Sequence, residues 1–177
     1  MNNRTKEMIY AALLTSLAII IPVQFSFLRV IIPPFSATLA SHVPMFIAML
    51  ISPMVAVVVG IGSVVGFLFT GLPMLIVFRA ATHILVGLVG AIIIKKSKSY
   101  VKASIFTAPI HGVAEALVVI PFVGFDVYQL LVVVCVGTVI HHGVDSTISY
   151  FIVKAIAKAR RKDIYNTFSE IGTEQVI

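Results

Sequence analysis

Apolar residues run along this chain in long blocks, broken by prolines, glycines and short polar stretches rather than by regular alternation. A helix needs about 20 predominantly apolar residues to cross the hydrocarbon core of a bilayer, with a range of about 17–25. The blocks predict six spanning helices at about 6–23, 37–51, 53–69, 73–94, 101–121 and 127–154. Pro22 ends the first, and Pro33-Pro34 precede a short second one. Gly71 follows the third, Pro73 opens the fourth and Pro121 ends the fifth. From residue 159 onward the chain is polar, which predicts a loose tail or frayed helix. The expected architecture is an all-α membrane protein with one six-span domain over 1–158 and a cytoplasmic tail over 159–177. No internal repeat and no low-complexity tract interrupts it.

Composition narrows the class. Of the 177 residues, 59% are hydrophobic and 11% charged, with a mean hydropathy of +1.09. Soluble domains carry about 25% charged residues. So apolar a chain excludes an ordinary soluble enzyme, a disordered chain and, despite a net charge of +6, a nucleic-acid binder. The basic residues lie between spans. Arg4 and Lys6 precede the first; Lys95, Lys96, Lys98 and Lys102 lie between the fourth and fifth; Lys154, Lys158, Arg160, Arg161 and Lys162 follow the last. An even number of spans puts these three groups on one side, the cytoplasmic side of the positive-inside rule, with both termini. Arg29 and Asp126 fall on the other. The residues after the first span, Gln24-Phe25-Ser26-Phe27, do not make a signal-peptide cleavage site. The outer loop at 24–36, with Phe25, Phe27, Phe35 and two prolines, reads as a connector or a lid. Cys135 lies in an apolar run and reads as a small core hydrophobe.

Ionisable residues inside spans are costly and face a cavity or the protein interior. Here they come in pairs four apart, each on one helix face: Arg79 with His83, His111 with Glu115, His141 with Asp145. At 1.5 Å per residue, Arg79 and Glu115 both lie about 9 Å from the outer surface, and His83 and His111 about 15 Å. His141 and Asp145 lie deeper. The spacing predicts one outward pocket lined by the fourth, fifth and sixth spans. Arg79 and Glu115 either neutralise each other or grip a ligand, and His141 with Asp145 either locks a helix or does the same. His142 points away from His141, and His42 reads as structural or lid-facing. No HExxH or paired-cysteine spacing supports a metal site, and no nucleophile-and-base motif supports an enzyme. No GxxxxGK[ST] loop is present, so the chain is expected to hold no ATP and no other cofactor. Small-xxx-small pairs, Ala11/Thr15 and Ala12/Ser16 on the first span and Gly62/Gly66 on the third, serve either internal packing or docking of a partner helix.

A basic N-terminus, a small-residue stripe on the first span, six spans in under 200 residues and a basic tail resemble the substrate-binding S-components of energy-coupling factor (ECF) vitamin transporters. Thr15 and Ser16 stand where that family typically has alanine. The segments 34–44, 78–83 and 137–145 are most similar to the niacin-type S-components. Asn2 stands where cobalt and nickel S-components have histidine, which argues against a metal as substrate. The resemblance implies a multi-pass protein of a prokaryotic plasma membrane that binds a vitamin at its outer side. It then joins a coupling membrane protein and two ATPase subunits, which use ATP, and topples to release the vitamin inside. For niacin, Arg79 is expected on the carboxylate, His83, His111 or His141 on the carboxylate or the ring nitrogen, Glu115 on Arg79 or the ligand, and Phe78 or a loop aromatic over the ring, with Asp145 and His42 completing the candidate substrate-binding residues. The stripe Ala11, Ala12, Thr15 and Ser16 would meet the coupling protein. Pantothenate, pyridoxine or a queuosine precursor are alternative substrates. A proton-coupled carrier using the His/Glu/Asp set and a purely structural membrane subunit are the rivals outside this class.

Overall fold

The computed structural model describes residues 3–168. Among these, the chain forms α1 (Asn3–Gln24), an antiparallel hairpin of β1 (Arg29–Ile32) and β2 (Phe35–Thr38), α2 (Val43–Met49), α3 (Pro53–Leu68), α4 (Met74–Ser97), α5 (Tyr100–Val123) and α6 (Gly137–Ala159). A π-helical stretch, Tyr128–Val136, runs directly into α6. The boundaries follow local chemistry. The Ser52 hydroxyl accepts from the Val55 amide and Pro53 sits in the first turn, which opens α3. The Ser99 hydroxyl accepts from Lys102 at the start of α5. Gly124, at φ +75°, ends α5 where a side chain would be strained. Pro22 does not end α1, which continues two residues further.

Four helical stretches are long and apolar enough to cross a membrane: Arg4–Gln24, Met74–Ser97, Tyr100–Val123 and Tyr128–Ala159. Their outward faces carry Leu13, Phe106, Leu117, Ile140 and Phe151, all exposed. An apolar surface this extensive needs lipid rather than water around it. The segment 37–51 departs from the expected span. Its first residues belong to β2, and its helix, α2, has seven residues. That is about 10 Å of rise, a third of a hydrocarbon core of about 30 Å. Every residue of α2 is buried, so it forms the core rather than a lipid-facing wall. Its Met45, Phe46 and Ala48 share one core cluster with Ala56 and Val59 of α3 and Val86 of α4.

Close approach of backbones fixes the bundle. A Cβ at Gly62 would meet Thr15 Cγ2 at 2.5 Å, and one at Gly66 would meet the Ala18 carbonyl oxygen at 2.7 Å. The rising order of both numbers makes α1 and α3 parallel. Gly60 meets Ile84 and Gly87 meets Ala56, so α4 runs antiparallel to α3. Thr15 and Ala11 thus pack inward, Ala11 against the core and Thr15 against Gly62, while Ala12 and Ser16 face outward.

The tail also departs from expectation. Residues 160–168 fold back beneath the helices instead of hanging loose. Arg160 donates to the Thr167 carbonyl at 2.6 Å and to the Tyr10 hydroxyl at 3.3 Å. Phe168 sets its ring edge-on to Tyr10, and the Tyr165 hydroxyl accepts from the Tyr100 amide. Hydrogen bonds from the Asn166 side chain and from the Tyr165 and Asn166 amides hold the Asp163 carboxyl below the usual aspartate range. The expected tail beyond 168 lies outside the described residues.

Candidate functional site

The pairs four apart bring their side chains to one buried centre, because α4, α5 and α6 turn those faces toward each other. At its outer level Arg79 reaches Glu115 with Nε at 3.0 Å and Nη2 at 2.5 Å, both onto Oε2. Thr138 also donates to Oε2 of Glu115. Arg79 is 3% and Glu115 4% exposed, so the pair neutralises itself away from solvent. Arg79 keeps one further contact, a 3.3 Å bond from Nη1 to the Pro34 carbonyl, and its guanidinium lies 5.1 Å from the centre of the Phe35 ring.

One level further in, the histidines join. The Nε2 atoms of His42 and His83 are 2.8 Å apart, and His83 Nδ1 lies 2.8 Å from the Ser63 hydroxyl. His42 Nδ1 and His141 Nε2 each lie 3.1 Å from Oδ2 of Asp145. Asp145 also accepts from the Ala40 amide at 2.8 Å and the His42 amide at 3.0 Å. It therefore ties α6 to the turn between the hairpin and α2. His111 Nε2 stands 3.4 Å from Oε1 of Glu115, and its Nδ1 is 3.2 Å from Nδ1 of His142. His142 Nε2 in turn meets the Ser104 carbonyl and the Thr107 hydroxyl. Hydrogen bonds and ion pairs thus join His42, His83, His141 and Asp145 in one group and Arg79, Glu115, His111 and His142 in another, and the His42 and His83 rings stand edge-on to His111 at 4.9 and 5.2 Å, which brings the two groups together.

The hairpin closes this centre from outside. Besides the Pro34 and Phe35 contacts to Arg79, the Thr38 carbonyl accepts from His141 at 3.1 Å. Arg29 braces the hairpin by donating to the Thr38 hydroxyl and the Pro22 carbonyl. A cavity of about 20 Å³ remains, bounded by Thr38, His42, Phe67, Arg79, His83, Glu115 and His141. It suffices for a single water and is far too small for a vitamin.

Several sequence expectations change here. The pocket is lined not only by α4, α5 and α6 but also by the hairpin, the start of α2 and α3. His42 stands at its centre rather than at its edge. Phe78 does not cover the pocket. It lies one residue, about 100° of helix, from Arg79, is half exposed and packs on Phe122 at 5.8 Å. Phe35 occupies the place over Arg79. Ser63 and Thr138 were not expected in the site. Their signal was a lone hydroxyl within an apolar run, and in α3 Ser63 is the one such residue among its valines and glycines. His142 is fully buried behind His111, away from the cavity.

No family model and no solved structure matches the chain. Among curated proteins it is 32% identical to the niacin transporter NiaX of Lactococcus lactis subsp. cremoris (strain MG1363) over 178 aligned residues, which cover 92% of this chain and 80% of that protein.

Proposed function

Because the chain belongs to the NiaX family of niacin transporters, we propose that it is the niacin-binding S-component of an ECF-type importer, and that nicotinate is the form its site holds. The supporting observation is Arg79, a buried guanidinium whose remaining partner beyond Glu115 is a 3.3 Å bond to the Pro34 carbonyl. A ligand carboxylate is a better acceptor than that carbonyl, since it is charged and accepts two parallel bonds. Replacing Pro34 and Phe35 by ligand requires the hairpin to lift. That movement enlarges the small cavity and brings a pyridine ring against His42, His83 and His141. The ring takes the place over Arg79 that Phe35 holds in the closed state.

In this reading the chain passes the membrane six times, the second time through the hairpin arm and α2, which is shielded from lipid by its neighbours. Both termini are cytoplasmic, in keeping with Tyr10 and Phe168 being in contact and with the basic residues at 95–102 and 154–162. The chain is a carrier component and not an enzyme. ATP is consumed by two partner ATPase subunits, joined through a coupling membrane protein. The outward side of α1, at Ala12 and Ser16, is the docking face, while Ala11 and Thr15 are committed to packing inside the chain.

Calorimetry on the detergent-purified protein tests this, with nicotinate, nicotinamide, pantothenate, pyridoxine and thiamine. Nanomolar to low-micromolar binding of nicotinate, and none of pantothenate or thiamine, is the expected result. Tight binding of another vitamin alone would remove niacin and retain the S-component role. Silence across the panel from folded protein would remove both.

A further inference from the structure

Three histidines, from the N-cap of α2 and from α4 and α5, converge at and behind the pocket. His42 comes from the start of α2, His83 from the middle of α4 and His111 from the middle of α5. A ring nitrogen of each lies within 4.8 Å of the other two. They are 2%, 3% and 0% exposed. The second nitrogen of each faces a polar group. His42 Nδ1 faces the Asp145 carboxylate at 3.1 Å, His83 Nδ1 faces the Ser63 hydroxyl at 2.8 Å, and His111 Nδ1 faces His142 at 3.2 Å. Metal-bound histidines have this arrangement: one nitrogen on the ion, the other fixed by a carboxylate, hydroxyl or further polar group that sets the ring's orientation.

Two further observations point to a cation. His111 Nε2 is buried and makes no hydrogen bond, with Oε1 of Glu115 as its nearest charged neighbour at 3.4 Å. The buried centre also holds two carboxylates, Glu115 and Asp145, against one guanidinium, Arg79, so it lacks positive charge before any histidine is protonated. Arg79 does not oppose a second cation strongly, because Glu115 engages it through two nitrogens.

We propose that His42, His83 and His111 form a binding site for one divalent transition-metal ion of the kind imidazole favours, such as zinc, nickel or cobalt. Three histidines with a fourth, open position is a known zinc coordination. Here the open position faces the cavity, since His42 and His83 both line it. Metal–nitrogen bonds of about 2.0–2.1 Å place tetrahedral ligands about 3.3 Å apart. The His42–His83 pair, now at 2.8 Å, needs to part by only about half an ångström. The donors are single residues on three helices, so no spacing motif marks them in the sequence.

The test uses the full-length protein, purified through a tag without histidine, stripped with chelator and dialysed against zinc or cobalt. Metal content is read by mass spectrometry and cobalt coordination by visible absorption. About one equivalent is expected, with the strong visible bands of four-coordinate cobalt. His83→Ala and His111→Ala should lose it, and Ser63→Ala should weaken it about 10-fold. Phe78→Ala should retain it. Thermal unfolding of each variant shows that it is folded. Absence of bound metal in the folded wild type, or equal metal in wild type and both histidine variants, would overturn the site in favour of a network held by hydrogen bonds alone. Nicotinate calorimetry on the stripped protein is read separately. A protein that takes up no metal on reloading yet binds nicotinate overturns the metal site alone, and a metal-loaded protein that ignores nicotinate overturns the niacin reading alone.

Discussion

Arg79 concentrates the chemistry of the pocket because it is a permanent charge held 3% exposed among apolar helices. Its removal leaves Glu115 buried without its main counter-charge and deprives a ligand carboxylate of its partner. Loss of one member of a buried charged contact costs about 2–5 kcal/mol, which is about 30-fold or more in affinity. Arg79→Ala should therefore weaken nicotinate binding by about 30-fold or more, measured by calorimetry. Nicotinamide, which has no carboxylate, should lose less. Unchanged nicotinate affinity would remove Arg79 from the site. Phe78→Ala should change neither ligand's affinity, since its side chain lies outside against Phe122. The contrast between neighbours marks what was legible in the sequence. The meeting of Arg79 with Glu115 followed from helical spacing and rise alone. Which aromatic lies over Arg79 did not, because Phe35 arrives on a hairpin whose return path no periodicity encodes. Ser63 was obscured as the lone hydroxyl in the apolar run of α3, and His42 was left between a structural and a lid-facing role because its place at the centre depends on that same return path.

At the scale of elements, the long helices were legible because bilayer-spanning blocks carry a strong signal. α4 and α5 lie within a few residues of their expected limits. The stretch 37–51 misled, since an apolar run of that length is equally a short buried helix, and burial in α2 comes from neighbours rather than lipid. Close contact between α1 and α3 rests on Gly66, where a Cβ would lie 2.7 Å from the Ala18 carbonyl oxygen and 2.8 Å from Ile19 Cα. Backbone cannot turn aside as a side-chain tip can. Gly66→Ala should destabilise the protein by about 1–3 kcal/mol, visible as a lower midpoint of thermal unfolding in detergent. An unchanged midpoint would mean that α1 is free to move away. The hairpin makes a different demand. Phe35 packs on α6 at Gly137, where a Cβ would lie 3.1 Å from the ring. Phe35→Cys with Gly137→Cys, in a Cys135→Ser background, should form a disulfide that holds the hairpin shut. Nicotinate binding should vanish under oxidation and return on reduction. Equal binding in both states would show that ligand reaches the site by another path.

Over the whole molecule, the polar residues concentrate in an inner site and in the basic segments at 95–102 and 154–162, and the lipid-facing surface between them is apolar. α1 is the exception to close packing, since only 17% of its most apolar window is buried. Its inward side, Leu14, Thr15 and Ala18, is spent on α3 and the core, whereas Met8, Ala12, Leu13, Ser16 and Leu17 remain uncovered. Small residues at Ala12 and Ser16 leave a shallow seam between larger neighbours, and seams of this kind admit another helix at short distance. Neither residue lines the buried pocket, which lies between the hairpin, the start of α2, α3, α4, α5 and α6. The docking and binding functions should therefore separate in one substitution. Ala12→Trp fills the seam and leaves the interior intact, so nicotinate affinity and the unfolding midpoint should match wild type. Uptake of labelled nicotinate by vesicles containing the coupling protein and ATPases should fall to background, and the variant should fail to co-purify with the coupling protein. Loss of nicotinate binding together with stability would show instead that Ala12 belongs to the internal packing of α1. Full uptake would place the contact with the coupling protein on another helix.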